Sequence, residues 1–319
     1  MIRILVPLDG SSAAEKALPH AAAIAHAFSA EVELLGVVDE SSGTFATPVN
    51  SLDWQLSKLQ TKVYLSRTAD TLRDRGLCVS WEVREGDPAQ AIIQSVRSSD
   101  VDILVSTRYG SGNAQQFRMG GTVQKVLSAA SVSVLLIDPA FEFDSKQGYA
   151  RVVAAVDGTQ CSEWASAFAA VLAQAFHGSL QVLRVVEEPS VPGGTPITAE
   201  TRRFLEHIKR VARSQASLQL RNIVSTIPPS VEISSSVVSS DNVPSTIEQA
   251  ANSCNADLVV VAAQDAVFDG GGSYGSVCDA LLSQARRPVL VLRSEAAVLS
   301  SSHFRSVYLD EAESRADAG

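Results

Sequence analysis

Residues 101–138 read VDILVSTRYGSGNAQQFRMGGTVQKVLSAASVSVLLID. The apolar run Val101 to Val105 has the character of a strand buried on both faces. A polar, glycine-containing loop follows from Thr107 to Met119. Gly120, Gly121 and Thr122 then open a helical pattern carried by Val123, Val126, Leu127 and Ala130, and Val132 to Ile137 reads as a second strand. The loop thus delivers backbone N–H groups to a helix N-terminus. Those groups lack partners inside the helix and the dipole is positive there, so the place suits an anion. Glycines let that backbone approach a phosphate closely.

Upstream, the same alternation holds. Arg3 to Asp9 is a short strand ending in a carboxylate, and Gly10, Ser11 and Ser12 form a turn and a helix cap. Residues 13–29 have helical spacing, Glu31 to Val38 is the next strand, and 41–52 is a loop before an amphipathic helix over 54–75. Cys78 to Val83 is a third strand. Gly86-Asp87-Pro88 starts another helix, with proline where its missing N–H is harmless. Alternating strands and helices imply a parallel sheet covered on both faces. Ligands in such sheets sit beyond the carboxyl ends of the strands, where the strand order reverses. Asp9, Val37 and Thr107 to Gly110 all end predicted strands and can converge on one crevice.

The pattern then repeats. Arg151 to Thr159 matches Arg3 to Ser11 at an offset of 148, whereas Asp257 to Val261, Gly275 and Val289 match Asp102 onward, Gly120 and Val134 at 155. The seven extra residues are expected in the loop and long helix at 188–224. The duplication predicts two domains, 1–138 and 150–293, joined by a linker at 139–149 and followed by a tail at 294–319.

Composition limits the chemistry. Of 319 residues 45% are hydrophobic and 19% charged, enough apolar material for packed cores, and the formal net charge of −9 argues against nucleic acid or an anionic membrane as main partner. No run approaches the ~20 apolar residues of a membrane span. The start, MIRILVPLDGSS, leads straight into a strand, so no signal peptide is expected. Four cysteines without C-x-x-C spacing read as reduced thiols of a cytosolic protein. The five histidines make no zinc pattern, and His20 and His26 are expected at the surface or its boundary. Ser106 and Thr107 have no histidine nearby to activate them, and Asp39 and Glu40 point apart if extended. No phosphate-binding G-x-x-x-x-G-K-S/T occurs. Gly270-x-Gly272-x-x-Gly275 matches a dinucleotide fingerprint only formally, because it follows the fourth strand of its repeat rather than the first. Asp9 and Asp157 have a plainer reading too, as turn residues that cap the next helix.

Taken in order, and twice, these motifs resemble the universal stress protein family in tandem form. They are Val6-Pro7-Leu8-Asp9-Gly10-Ser11, Val37-Val38-Asp39, Gly86-Asp87-Pro88-Ala89 and the glycine loop, then Val156-Asp157-Gly158-Thr159, Val185-Val186-Glu187 and Gly275-Ser276-Val277. The resemblance implies an α/β fold with two repeats of an open, five-stranded parallel-sheet sandwich of the adenine nucleotide alpha hydrolase-like kind. It also implies that Val132 to Ile137 pairs with Pro288 to Leu292, making an intramolecular pseudo-dimer.

Nucleotide-binding members resemble G-x-x-G, nine residues, then G-S/T. Here the pattern is Thr107-x-x-Gly110, nine residues, Gly120-Gly121, with Thr122 one position later. By the resemblance Asp9 approaches the ribose or base, Val37 presents backbone to adenine, and Gly110, Gly120, Gly121 and Thr122 hold phosphates, with Arg108 and Arg118 adding charge. The ligand implied is ATP or a related adenine nucleotide, with or without magnesium. The second half has Ala262 and Asp265 where the early glycines belong, and its loop carries Asp265 and Asp269 without Lys or Arg. A carboxylate ~5 Å from a phosphate charge costs about 3 kcal/mol at an effective dielectric of 20. A degenerate second site is therefore expected. The implied function is that of a non-enzymatic, cytoplasmic stress-response protein acting through unidentified protein partners, with room for a homodimer of the tandem chain. The alternatives are a scaffold that binds no nucleotide and a slow ATP hydrolase.

Overall fold

The computed structural model describes residues 1–39, 51–110, 119–130, 132–188, 198–263 and 274–293. The first half runs β1 (Arg3–Leu8), α1 (Ser12–Glu15), α2 (Ala17–Phe28), β2 (Glu31–Val38), α3 (Ser51–Arg73), β3 (Cys78–Glu85), α4 (Pro88–Ser98), β4 (Ile103–Thr107), α5 (Gly121–Ala129) and β5 (Ser133–Ile137). The second runs β6 (Arg151–Val156), α6 (Gln160–Ala175), β7 (Ser179–Glu187), α7 (Ala199–Thr226), β8 (Glu232–Ser240), α8 (Val243–Ser253), β9 (Leu258–Ala262), α9 (Ser276–Gln284) and β10 (Val289–Leu292).

All ten strands form one sheet in the order β3-β2-β1-β4-β5-β10-β9-β6-β7-β8. Pairing is parallel except at the centre, where β5 meets β10 antiparallel with Leu135 opposite Leu290. These two leucines are equivalents at the repeat offset of 155, so an approximate two-fold axis passes between them. The two halves are therefore the pseudo-dimer that the family resemblance implies. Strand residues alternate between two apolar layers. Ile4 and Val6 pack under α1, α2, α3, α6 and α7, whereas Leu5, Leu104 and Val134 pack under α4, α5, α8 and α9.

Local sequence sets the helix starts. Ser11 accepts from the N–H of Ala14 at 3.1 Å, Asp87 from that of Gln90 at 2.9 Å and Thr159 from that of Ser162 at 3.3 Å. Some boundaries differ from expectation. β4 begins at Ile103, because Asp102 is held outside it by the backbone of Arg3: its carboxylate accepts from Arg3 N at 2.8 Å. β4 then runs on through Thr107, and β3 continues to Glu85 in register with Val38. The seven extra residues also split. Cys78 and Glu232, which open β3 and β8, correspond at 154, and the caps Asp87 and Asn242 at 155. Six of the seven residues thus precede β8, and one lies in the turn before α8.

The segment 139–149 is anchored to the core. Tyr149 is fully buried and its hydroxyl shares a 2.8 Å hydrogen bond with Nδ1 of His20, while the Phe143 ring stacks on the same imidazole at 4.0 Å. His20 is 1% exposed, not a surface residue as expected, since α2 lies wedged between this segment and the sheet. His26 is exposed. The tail at 294–319 lies outside the described residues.

Candidate functional site

In the first half the strand order reverses between β1 and β4, which is where a crevice is expected. Pro7 helps to open it. The carbonyl of Arg3 accepts from Asp102 N, so by strand alternation residues 3, 5 and 7 turn their hydrogen-bonding groups toward β4. Position 7 has no N–H to give. Pairing of β1 with β4 accordingly covers only Ile4 and Leu5. In the second half Ala155 takes the equivalent place, and the β6–β9 pairing runs from Val152 to Ala155.

Beyond this gap the expected residues gather. Asp9 follows β1, and its Oδ1 accepts from Ser11 N at 2.9 Å, so the turn-forming reading holds for that oxygen. Its Oδ2 faces Gly110: a Cβ there would lie 2.2 Å from it, so only glycine fits without moving the carboxylate. Thr107 is buried and its hydroxyl donates to Tyr109 O at 3.0 Å, shaping the turn that presents Gly110. The loop then closes on itself, with Gly120 N donating to Arg108 O at 2.9 Å. Gly120 is the N-cap of α5 and offers no side-chain cap, and Gly121 and Thr122 after it are exposed. Val37 lies at the carboxyl end of β2, packed against the α4–α5 layer. Residues 111–118, and Arg118 with them, lie outside the described residues.

Arg108 does not serve as expected. Its backbone N–H donates to Ile137 O at 2.8 Å, and its side chain crosses into the second half. There Nη1 donates to Ser283 O at 3.3 Å and Nη2 to Ala285 O, at the end of α9. Burial pulls the guanidinium below its ordinary pKa. An arginine after a strand reads the same whichever way it turns, so sequence could not separate a phosphate ligand from this cross-link.

The second half keeps a cavity of about 410 Å3 at the equivalent place. Its walls include six valines, with Tyr274 and Cys278, and its polar groups include Asp157, Arg184, Glu187 and Ser276. Asp157 Oδ1 accepts from the N–H and the hydroxyl of Thr159, at 2.9 and 2.5 Å, and so serves the turn. Arg184 donates to Val156 O at 3.1 Å and stands where β2 has Gly36. No reasoning from the strand's sequence marked it, although alignment of the repeats at 148 would have. Burial raises the Cys278 thiol to about 12, so it is no nucleophile. Asp265 and Asp269 lie outside the described residues. All four cysteines are free, and among the described residues no cluster of His, Cys, Asp or Glu could hold a metal. Nor is any described helix long and apolar enough to cross a membrane.

A twofold-repeated, open α/β sandwich with a crevice at the reversal of strand order defines the class. The universal stress protein family model matches residues 1–138 and again 148–293, and the chain belongs to that family, in tandem form. Universal stress protein MJ0531 of Methanocaldococcus jannaschii is 28% identical over 137 residues, covering 42% of this chain and 81% of that protein. A universal stress protein from Archaeoglobus fulgidus superposes with TM-score 0.62 at 18% identity, covering 91% of this chain and 98% of that one. A functionally unknown protein, PA1789 from Pseudomonas aeruginosa, does so with TM-score 0.65 at 17% identity, covering 97% of each.

Proposed function

We propose that the chain is a non-enzymatic stress-response protein of the cytoplasm whose first half binds ATP or a related adenine nucleotide, while the second half no longer does. In this reading the free N–H groups at the start of α5 take phosphate oxygens, Asp9 meets the ribose or base, and backbone at Val37 meets adenine. Bound nucleotide then alters association with protein partners. The observation that carries the reading is the approach of Gly110 to Asp9, where a Cβ would strike the carboxylate at 2.2 Å. It brings the residues that follow β1 and β4 together at the reversal of strand order, which supports a ligand seated there. Magnesium, if required, would arrive on the nucleotide's own phosphates. The hydroxyls of Ser106 and Thr107 both donate to backbone carbonyls, at 3.2 and 3.0 Å, which argues against either as an activated nucleophile.

One observation favours a scaffold that binds no nucleotide: Arg108, the described cation of the glycine loop, is committed to α9. Calorimetric titration of the whole chain with ATP and magnesium separates the readings. The expected result is one site per chain, abolished by Gly120→Asp, which puts a carboxylate at the phosphate position. Two sites would refute a degenerate second half. No heat at millimolar ATP would leave the scaffold.

A further inference from the structure

The cross-link made by Arg108 has a counterpart. Tyr274, in the wall of the second cavity, sends its hydroxyl back into the first half, where its one proton is shared between Val132 O at 3.0 Å and Ala130 O at 3.4 Å. Ala130 is the C-cap of α5 and Ala285 the C-cap of α9, and they are equivalents at 155. The donors are not equivalents of one another. Position 108 corresponds to Ala263 and position 274 to Met119. Different side chains thus make the same connection in opposite directions across the two-fold axis.

Each connection runs from the loop of one crevice to the far end of the helix that opens the other. Arg108 ties β5 and the start of α5 through its backbone, to Ile137 O and Gly120 N, and holds the end of α9 through its side chain. The N-terminus of α9 carries Ser276 into the second cavity. Tyr274 borders Gly275, the N-cap of α9, and holds the end of α5, whose N-terminus opens the first crevice. A nine-residue helix is a rigid rod only ~13 Å long, so anchoring one end restrains the other. Both donors are buried, Tyr274 to 1% exposure and Arg108 to 6%, so solvent offers no ready replacement for either bond.

We propose that Arg108 and Tyr274 couple the two crevices, so that filling one stabilises the helix opening the other. The proposal rests on the reading that the first crevice binds adenine nucleotide. A ligand that holds the backbone bond between Arg108 and Gly120 also restrains the guanidinium on α9, and with it the helix that opens the second crevice. By linkage, occupation of the second crevice must tighten the first by the same factor.

Hydrogen exchange of the full chain, with and without ATP and magnesium, tests this. Nucleotide should slow exchange locally, over 107–110 and 119–124, and remotely, over 276–285. Arg108→Met should keep the local effect and lose the remote one. Local slowing with α9 unchanged overturns the coupling while sparing the nucleotide reading. No local slowing sinks that reading instead, and a ligand-free arm then decides the coupling. There Tyr274→Phe, which removes only a hydroxyl, should speed exchange over the last turn of α5 by about three- to tenfold, the worth of one neutral hydrogen bond. Unchanged exchange in α5 would overturn the proposal.

Discussion

At neutral pH the imidazole of His20 carries no charge, because burial lowers its pKa from 6.5 to about 3. The sign of the consequence follows from linkage. The unfolded chain takes up a proton as pH falls through about 6.5, and the native state declines it until pH about 3. This stabilising term is complete above 6.5 and is lost on acidification through that window. One proton corresponds to roughly 1.4 kcal/mol per pH unit, so between pH 7 and 5 the loss is about 2 kcal/mol. His20→Asn keeps an acceptor for Tyr149 but does not titrate. Its unfolding free energy should fall less steeply than that of the parent chain over the same range, as read by urea unfolding at several pH values. Parallel curves would mean that His20 is charged in the native state. Burial of His20 was hidden in the sequence for a simple reason. In an alanine-rich helix small residues line every face, and the partner Tyr149 lies 129 positions away.

At the scale of elements, the caps and buried runs are what the sequence made legible. Ser11, Asp87 and Thr159 each stand one residue ahead of an observed helix, and the run Ile103 to Val105 is the buried strand that its unbroken apolar character suggests. Thr159 binds both Ser162 N and Asp157, so Thr159→Ala should cost about 1 kcal/mol in thermal or denaturant unfolding. A loss below a few tenths would assign the start of α6 to its packing alone. The candidate site was legible as a set of strand ends and glycines. Its asymmetry was only partly so. Pro7 is visible in the sequence, but its effect depends on which strand lies on its N–H side, and that is a fact of strand order. Arg108 and Tyr274 reach carbonyls 177 and 142 residues away, and a carbonyl leaves no mark in a sequence pattern.

For the molecule as a whole, the packing among the described residues ties the two halves together. One sheet runs through both, Phe28 of α2 stacks on Phe168 of α6 at 4.2 Å, and Tyr149 contacts rings from each half. Unfolding by urea should therefore follow a single transition, with tryptophan fluorescence and far-ultraviolet circular dichroism coinciding. Two resolved steps would show that the β5–β10 seam is weaker than the cores it joins. That seam differs in kind from one between separate subunits. Partners on one chain meet at a local concentration set by the chain and not by the cell, so dilution cannot part them. An assembly of two identical subunits must also apply every substitution to both of its faces at once. A fused pair is free of that rule, and Arg108 and Tyr274 illustrate the freedom, since neither residue recurs at its own mirror position. Fusion lets one crevice drift while its neighbour stays under selection.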